Sequence, residues 1–193
     1  MTLPTKITVL RMILTCVIMG LLFAAGWVAK AMALALFLLA SLTDWLDGYV
    51  ARRWRQVSPL GALLDPIADK VLVLGVFLAF VQLRLVPAWM VLIMLCRELL
   101  ITGVRLVAAS HDIVLSAAKE GKHKTVSQML TILLILTSLV VRARLDPQTN
   151  GALDLWLTRT IAISLWLTVV LTVVSGVSFF WRHRTVLRDA VGR

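Results

Sequence analysis

The sequence predicts an all-α integral membrane protein, one domain over residues 1–193 with six transmembrane helices and both termini cytoplasmic, and three observations carry that expectation. Hydrophobic residues make up 60% of the 193-residue chain, well above the roughly 45–50% of a soluble domain. Six stretches, near 8–26, 31–50, 66–83, 86–106, 125–141 and 157–181, approach the about 20 apolar residues that a spanning helix needs. If those spans alternate, most basic residues fall on one side, among them Lys6, Arg11, Arg52, Arg53, Lys70 and Arg105. The other side receives only Lys30, Arg84, Arg142, Arg144 and Arg159, the asymmetry of the positive-inside rule.

Each span is read as a helix because a chain in lipid must satisfy its backbone polar groups internally. The first has the outline of a secretory signal, with Lys6 ahead of it. Arg11 lies inside its apolar pattern, however, and no small-residue cleavage site follows, so it is expected to be retained. Gly26 to Lys30 closes the hairpin to the second span, which is almost uninterrupted from Ala31 to Leu42 and ends in Asp44 and Asp47. Arg52 to Gly61, with Ser58-Pro59, turns the chain into the third, which opens with Asp65 and Asp69; Arg84 to Pro87 leads to the fourth. Ser110 to Lys124 is a longer polar loop before the fifth span, and Arg142 to Asp154 its counterpart before the sixth. Trp27, Trp54, Trp89, Trp156 and Trp181 lie near span ends, as interface anchors do.

Several functions are disfavoured. A formal net charge of +10 could suit nucleic acid, but the basic residues gather at membrane edges and not on one solvated face, so no nucleic-acid partner is expected. Cys16 and Cys96 sit within apolar spans and are expected as small buried hydrophobes. His111, His123 and His183 are too scattered for a zinc site.

The four aspartates pose an electrostatic problem. On an insertion scale an Asp near the bilayer centre costs about 2.5–3.5 kcal/mol, so four near adjoining span ends ask for compensation. If the second span continues through Arg52, then Asp44, Asp47, Gly48, Ala51 and Arg52 share one helical face, an arc of about 140°. Gly61, Asp65 and Asp69 repeat every four residues at the entry to the third span. Pro66 is expected within that helix's first turn, and the short connection is expected to make the two helices antiparallel neighbours. Salt bridges to Arg52, Arg53 and Lys70 would hold the carboxylates ionised as a purely structural network. Divalent cations would do so as well: oxygen-only ligands favour Mg2+ or Mn2+, and a two-metal clamp is a recurrent device for displacement at phosphorus. The small residues Gly48, Ala51 and Gly61 favour the second reading, because a bulky phosphorylated ligand needs bare backbone and a charge network does not.

Asp44-Trp-Leu-Asp47-Gly48-Tyr-Val-Ala51-Arg52, eight residues, then Gly61-Ala-Leu-Leu-Asp65-Pro-Ile-Ala-Asp69 matches every fixed position of the CDP-alcohol phosphotransferase signature. The chain thus resembles that family, and within it the bacterial members that use glycerol 3-phosphate. The closer likeness rests on Pro4 with Thr8 and Arg11, on Cys96-Arg-Glu-Leu-Leu100 leading to Arg105, and on Gly121-Lys-His-Lys-Thr125 with Gln128. It extends from about residue 4 to residue 130 and departs at Thr5, where the family often has Asn.

The resemblance implies a six-helix fold, usually a homodimer, in the bacterial inner membrane, with a cavity open to the cytoplasm. It places two divalent ions on Asp44, Asp47, Asp65 and Asp69, makes Asp69 the general base as well, and assigns Gly48, Ala51, Arg52 and Gly61 to CDP-diacylglycerol. The implied reaction transfers the phosphatidyl group to glycerol 3-phosphate and releases CMP. Arg105 and Lys122, flanking the loop between spans four and five, are the candidates for the acceptor's phosphate. Arg97 with Glu98 reads equally as a functional pair and an interhelical salt bridge; Lys119 and Lys124 read first as loop charges, and the tail from Arg182 to Arg193 as a contact for anionic headgroups. The competing readings are another CDP-diacylglycerol-dependent synthase, of cardiolipin, phosphatidylinositol phosphate or phosphatidylserine; an ion transporter; and a non-catalytic scaffold.

Overall fold

A computed structural model describes the backbone of residues 3–54, 59–110, 120–145 and 151–184, and side chains within 9–43, 70–108, 124–145 and 151–184. These residues form six helices and no strand: α1 (Leu3–Phe23), α2 (Trp27–Trp54), α3 (Pro59–Gln82), α4 (Ala88–Ser110), α5 (Glu120–Arg144) and α6 (Gly151–Arg182). Each apolar stretch of the sequence falls on one helix. Among the described residues, Lys124–Arg144 and Gly151–Arg182 are long and apolar enough to cross a membrane.

The helices close into a ring in the order α1, α2, α5, α6, α4, α3, and α3 also touches α5 across the middle. Among the described residues α2 and α3 each pack on α1, and the expected approach of their acidic ends, 44–54 to 59–69, lies outside the described side chains. The connection 55–58 still tethers their ends to within at most about 18 Å. A short loop limits how far two helix ends separate; it does not decide which faces pack.

Two turns show why the helices stop where they do. Gly26 adopts a left-handed conformation with φ 91°, and Lys30, already inside α2, donates to the carbonyls of Leu22 and of Ala24, the latter at 3.0 Å. It thereby satisfies C-terminal acceptors of α1 that have no helical partner. At the end of α3, Leu85 N–H donates to Phe80 O and Arg84 N–H to Val81 O, both at 2.9 Å. This is the Schellman pattern, with Arg84 at φ 58° in the place usually held by glycine.

The interior is divided along its length. Toward the α1–α2 and α3–α4 turns it is apolar, filled by Ile18, Leu22, Phe37, Phe77, Phe80 and Met94, all fully buried. Toward the other end, where α2 finishes and α3 begins, buried polar residues join apolar ones: Arg11, Thr15, Lys124, Gln128, Thr168 and Thr172. The outward faces carry large apolar side chains such as Ile13, Leu92, Leu99, Ile163 and Val177, each more than half exposed. An apolar exterior around a partly polar interior suits lipid as the solvent. Trp27, Trp89, Trp156 and Trp181 are exposed near helix ends, and the Arg144 guanidinium lies 5.0 Å from the Trp27 ring. Trp54 lies outside the described side chains. Cys16 and Cys96 correct the expectation of burial: both are free and exposed on the outward faces, since a thiol is as compatible with lipid as with a core.

The α1–α3 contact depends on Gly75. A Cβ there would stand 2.9 Å from Thr15 Cγ2 and 3.5 Å from Met19 Sδ, so the missing side chain lets two helices approach closely, as small residues do in membranes. Gly75→Ala is expected to lower the thermal midpoint in micelles, by an overpacking cost of about 1–3 kcal/mol. Adding Thr15→Ser removes Cγ2, keeps the hydroxyl bond to Arg11 O at 2.9 Å, and should recover most of that loss. An unchanged midpoint in the single variant would show that α1 shifts freely.

Candidate active site

Helix α2 continues unbroken to Trp54, so Asp44, Asp47, Gly48, Ala51 and Arg52 occupy offsets 0, 3, 4, 7 and 8 of one helix. Helix α3 begins at Pro59, which puts Gly61 in its first turn and Asp65 and Asp69 one and two turns later. Pro66 therefore lies past the first turn, contrary to expectation. It is Pro59 that takes the favoured N-terminal position, while the carbonyl of Ala62 faces a residue with no N–H to give. The side chains of Asp44, Asp47, Gly48, Ala51, Arg52, Gly61, Asp65, Asp69 and Lys122 lie outside the described residues.

A charged cluster begins at the residue after Asp69. Lys70 Nζ donates to Thr102 Oγ1 at 2.7 Å, joining α3 to α4. One turn before Thr102, Glu98 receives two cations: Arg97 through Nη1 at 3.1 Å and Lys124 of α5 in a direct ion pair. Lys124 is only 4% exposed. Two cations share one carboxylate, and the side chains come from two helices of the ring. Breaking such a buried arrangement by removing one partner is far costlier than its net contribution suggests.

A polar seam continues inward from this cluster. Ser127 Oγ donates to Lys124 O at 2.7 Å, Gln128 is buried one turn on, and Thr131 Oγ1 lies 2.9 Å from Thr168 Oγ1 of α6. Thr172 and Ser175 extend the line by donating to Thr168 O at 2.7 Å and Thr172 O at 2.9 Å. The hydroxyls of Thr172 and Ser175 are thus satisfied by their own helix and that of Thr168 by Thr131 of α5, which makes burial in the bundle tolerable.

The sequence reading of Lys124 as a loop charge is corrected. The loop expected from Ser110 to Lys124 is shorter, because α5 starts at Glu120 and carries both Lys122 and Lys124 in its first turns. Lys119 lies outside the described residues. Of the acceptor candidates, Arg105 is exposed on α4 with its guanidinium 6.0 Å from the Phe179 ring of α6. Arg97 and Glu98 pair with one another, and Glu98 also makes the interhelical contact. The signal that could have found the seam is periodic: Lys124, Gln128 and Thr131 on α5, and Thr168, Thr172 and Ser175 on α6, recur every three or four residues within apolar helices.

The model of one protein family, CDP-alcohol phosphatidyltransferase, matches residues 1–174. The chain belongs to this family. As a CDP-alcohol phosphatidyltransferase it is a membrane-embedded transferase of phospholipid biosynthesis, from a family generally dependent on divalent metal ions. Similar relatives include the CDP-diacylglycerol–glycerol-3-phosphate 3-phosphatidyltransferases of Bacillus subtilis, 35% identical with 97% of this chain and 98% of the relative covered, and of Rickettsia typhi, 33% identical with 95% and 97% covered. A plant relative, CDP-diacylglycerol–glycerol-3-phosphate 3-phosphatidyltransferase 2 of Arabidopsis thaliana, is 35% identical over 71% of this chain and 65% of its own length.

Proposed function

We propose that this CDP-alcohol phosphatidyltransferase transfers the phosphatidyl group of CDP-diacylglycerol to glycerol 3-phosphate, giving phosphatidylglycerophosphate and CMP. The observation that carries the reading is similarity over nearly the whole chain to bacterial relatives named for that reaction. The cationic cluster that begins at Lys70 supports it, since a phosphorylated acceptor needs positive charge apart from that engaging the diphosphate. The chain acts as one domain of six spans in a bacterial inner membrane, with both termini and the site on the cytoplasmic side, and as a homodimer.

The donor set fits divalent cations. Carboxylates one turn apart on each of two tethered helices offer oxygen ligands of the kind that Mg2+ or Mn2+ takes, and Asp44, Asp47, Asp65 and Asp69 would hold two such ions. When bound, the ions neutralise the diphosphate and stabilise the charge of an in-line displacement. Gly48, Ala51 and Gly61 leave backbone open to the cytidine and diphosphate, and Arg52 pairs with phosphate oxygen. Asp69 takes the proton from the primary hydroxyl of glycerol 3-phosphate. That oxygen bonds to the phosphorus bearing diacylglycerol as the bond from this phosphorus to the CMP oxygen breaks, and CMP leaves with the electron pair.

Arg105 and Lys122 orient the acceptor through its phosphate, and Lys124 joins them. Among the described residues Arg97 and Lys124 share the single carboxylate of Glu98, an excess of cations that suits a phosphate. An ion-transport reading is disfavoured, because the polar interior ends against the buried Phe37, Phe77 and Phe80 and leaves no charge trail toward the far end among the described residues.

The test is to supply purified protein with CDP-diacylglycerol and Mg2+ or Mn2+, offer glycerol 3-phosphate, phosphatidylglycerol, inositol phosphate or serine, and follow CMP and the lipid product. CMP should appear with glycerol 3-phosphate; no CMP with any acceptor would sink the enzymatic reading, and preference for another acceptor would move the chain to a sister activity. Arg105→Ala and Lys122→Ala are each expected to raise the KM for glycerol 3-phosphate by about tenfold, the equivalent of one charge-assisted bond, with less effect on kcat. Unchanged acceptor kinetics would place the phosphate elsewhere.

A further inference from the structure

A groove of about 550 Å³ opens between α4 and α6 on the outer face of the bundle. Its walls are apolar, from Ile93 to Leu100 on α4 and from Val173 to Trp181 on α6, apart from two cations, Arg97 and Arg184. Among the described residues, the groove's lining comes from α4, from α6 and from Arg184 just beyond α6, and none from α2 or α3. Measured along α6 from Val173 to Arg184, it is about 16 Å long at the usual helical rise. That is half of an about 30 Å hydrocarbon core, the depth of one leaflet.

The charges sit where a lipid of that leaflet would meet them. Arg184 is exposed at the end of α6, and its guanidinium lies 5.1 Å from the ring of Trp181, a pairing typical of headgroup depth. Arg97 is deeper and forms part of the groove wall. Gly176 makes that possible: a Cβ there would come within 3.2 Å of Arg97 Cγ, so the bare backbone admits the arginine stem. Because Glu98 also serves Lys124, the charge of Arg97 is only partly compensated, and the groove is electropositive as well as apolar.

We propose that the α4–α6 groove binds one anionic phospholipid of the surrounding bilayer, with an acyl chain along the apolar walls and its phosphate at Arg184. A zwitterionic lipid would fill the same walls, but its added cation cancels the net charge that the two arginines attract.

The test uses purified full-length protein in phosphatidylcholine vesicles without any CDP-lipid, so its outcome does not depend on turnover. Trace phosphatidylglycerol bearing a photoreactive acyl chain is added, and labelled peptides are mapped by mass spectrometry. Labelling should concentrate on 93–100 and 173–184, saturate, and be displaced by unlabelled phosphatidylglycerol but not by further phosphatidylcholine. Arg184→Gln should weaken labelling about fivefold, the effect of one interfacial cation. Val177→Trp, at a position open to lipid, should block the groove while labelling of the other helices persists. Equal labelling by a photoreactive phosphatidylcholine, indifference to Arg184→Gln, or crosslinks joining the α4–α6 faces of two copies would overturn the proposal.

Discussion

Asp69→Asn is expected to lower CMP release by about 10²- to 10⁴-fold, the usual contribution of a positioned general base, while metal-dependent binding of CDP-diacylglycerol survives. Asp44→Asn and Asp65→Asn should lose both. The contrast follows from the proposed division of labour: an amide at Asp69 keeps an oxygen toward a cation but cannot accept the hydroxyl proton, whereas Asp44 and Asp65 act only as ligands. Single-turnover CMP release beside equilibrium binding of the CDP-lipid reads the two effects separately. Equal loss of binding in all three variants would remove Asp69 from the role of base.

Glu98→Gln should produce the largest loss of stability. It leaves Arg97 and Lys124 facing each other without the carboxylate they share, and stranding a buried charge costs about 3–5 kcal/mol. Lys124→Met should cost less, because Glu98 keeps Arg97 and the replacement fills similar volume without a charge. The ordering, Glu98→Gln below Lys124→Met below the unaltered protein in thermal midpoint, is read in detergent micelles at fixed lipid content. If Glu98→Gln is harmless, the pair is solvated and contributes nothing to holding α4 and α5. Lys124→Met should also raise the KM for glycerol 3-phosphate, a change that a merely structural residue would not produce alone.

Much of the fold was legible because its signals are local. Hydropathy marked six stretches, and each coincides with one helix; the tryptophans marked ends that are ends. The turns were legible to within a few residues: α2 starts at Trp27 and α5 at Glu120, so Lys30 and Lys124 lie inside helices. The signature was legible because its spacing is itself helical geometry: once α2 reaches Trp54, the offsets follow. Lys124 was misread because burial of a lysine depends on a partner 26 residues away in sequence, Glu98, and nothing in the local pattern names it. The exposure of Cys16 and Cys96 was missed for a related reason: hydropathy marks a side chain as apolar but not whether it faces protein or lipid.

The sequence by itself determined the helices, the family and the spacing of the aspartates along α2 and α3, since each rests on composition or on spacing within a helix. Only the tertiary structure decided which helices touch. Among the described residues, the ring order packs α2 and α3 each on α1, gathers the buried charges Arg11 and Lys124 toward the end where α2 finishes, and brings Lys70, Glu98 and Lys124 of three helices into one cluster. The physical reason is that helix formation is governed by neighbours along the chain, whereas the pairing of helices in lipid is governed by close packing and by where polar groups find partners.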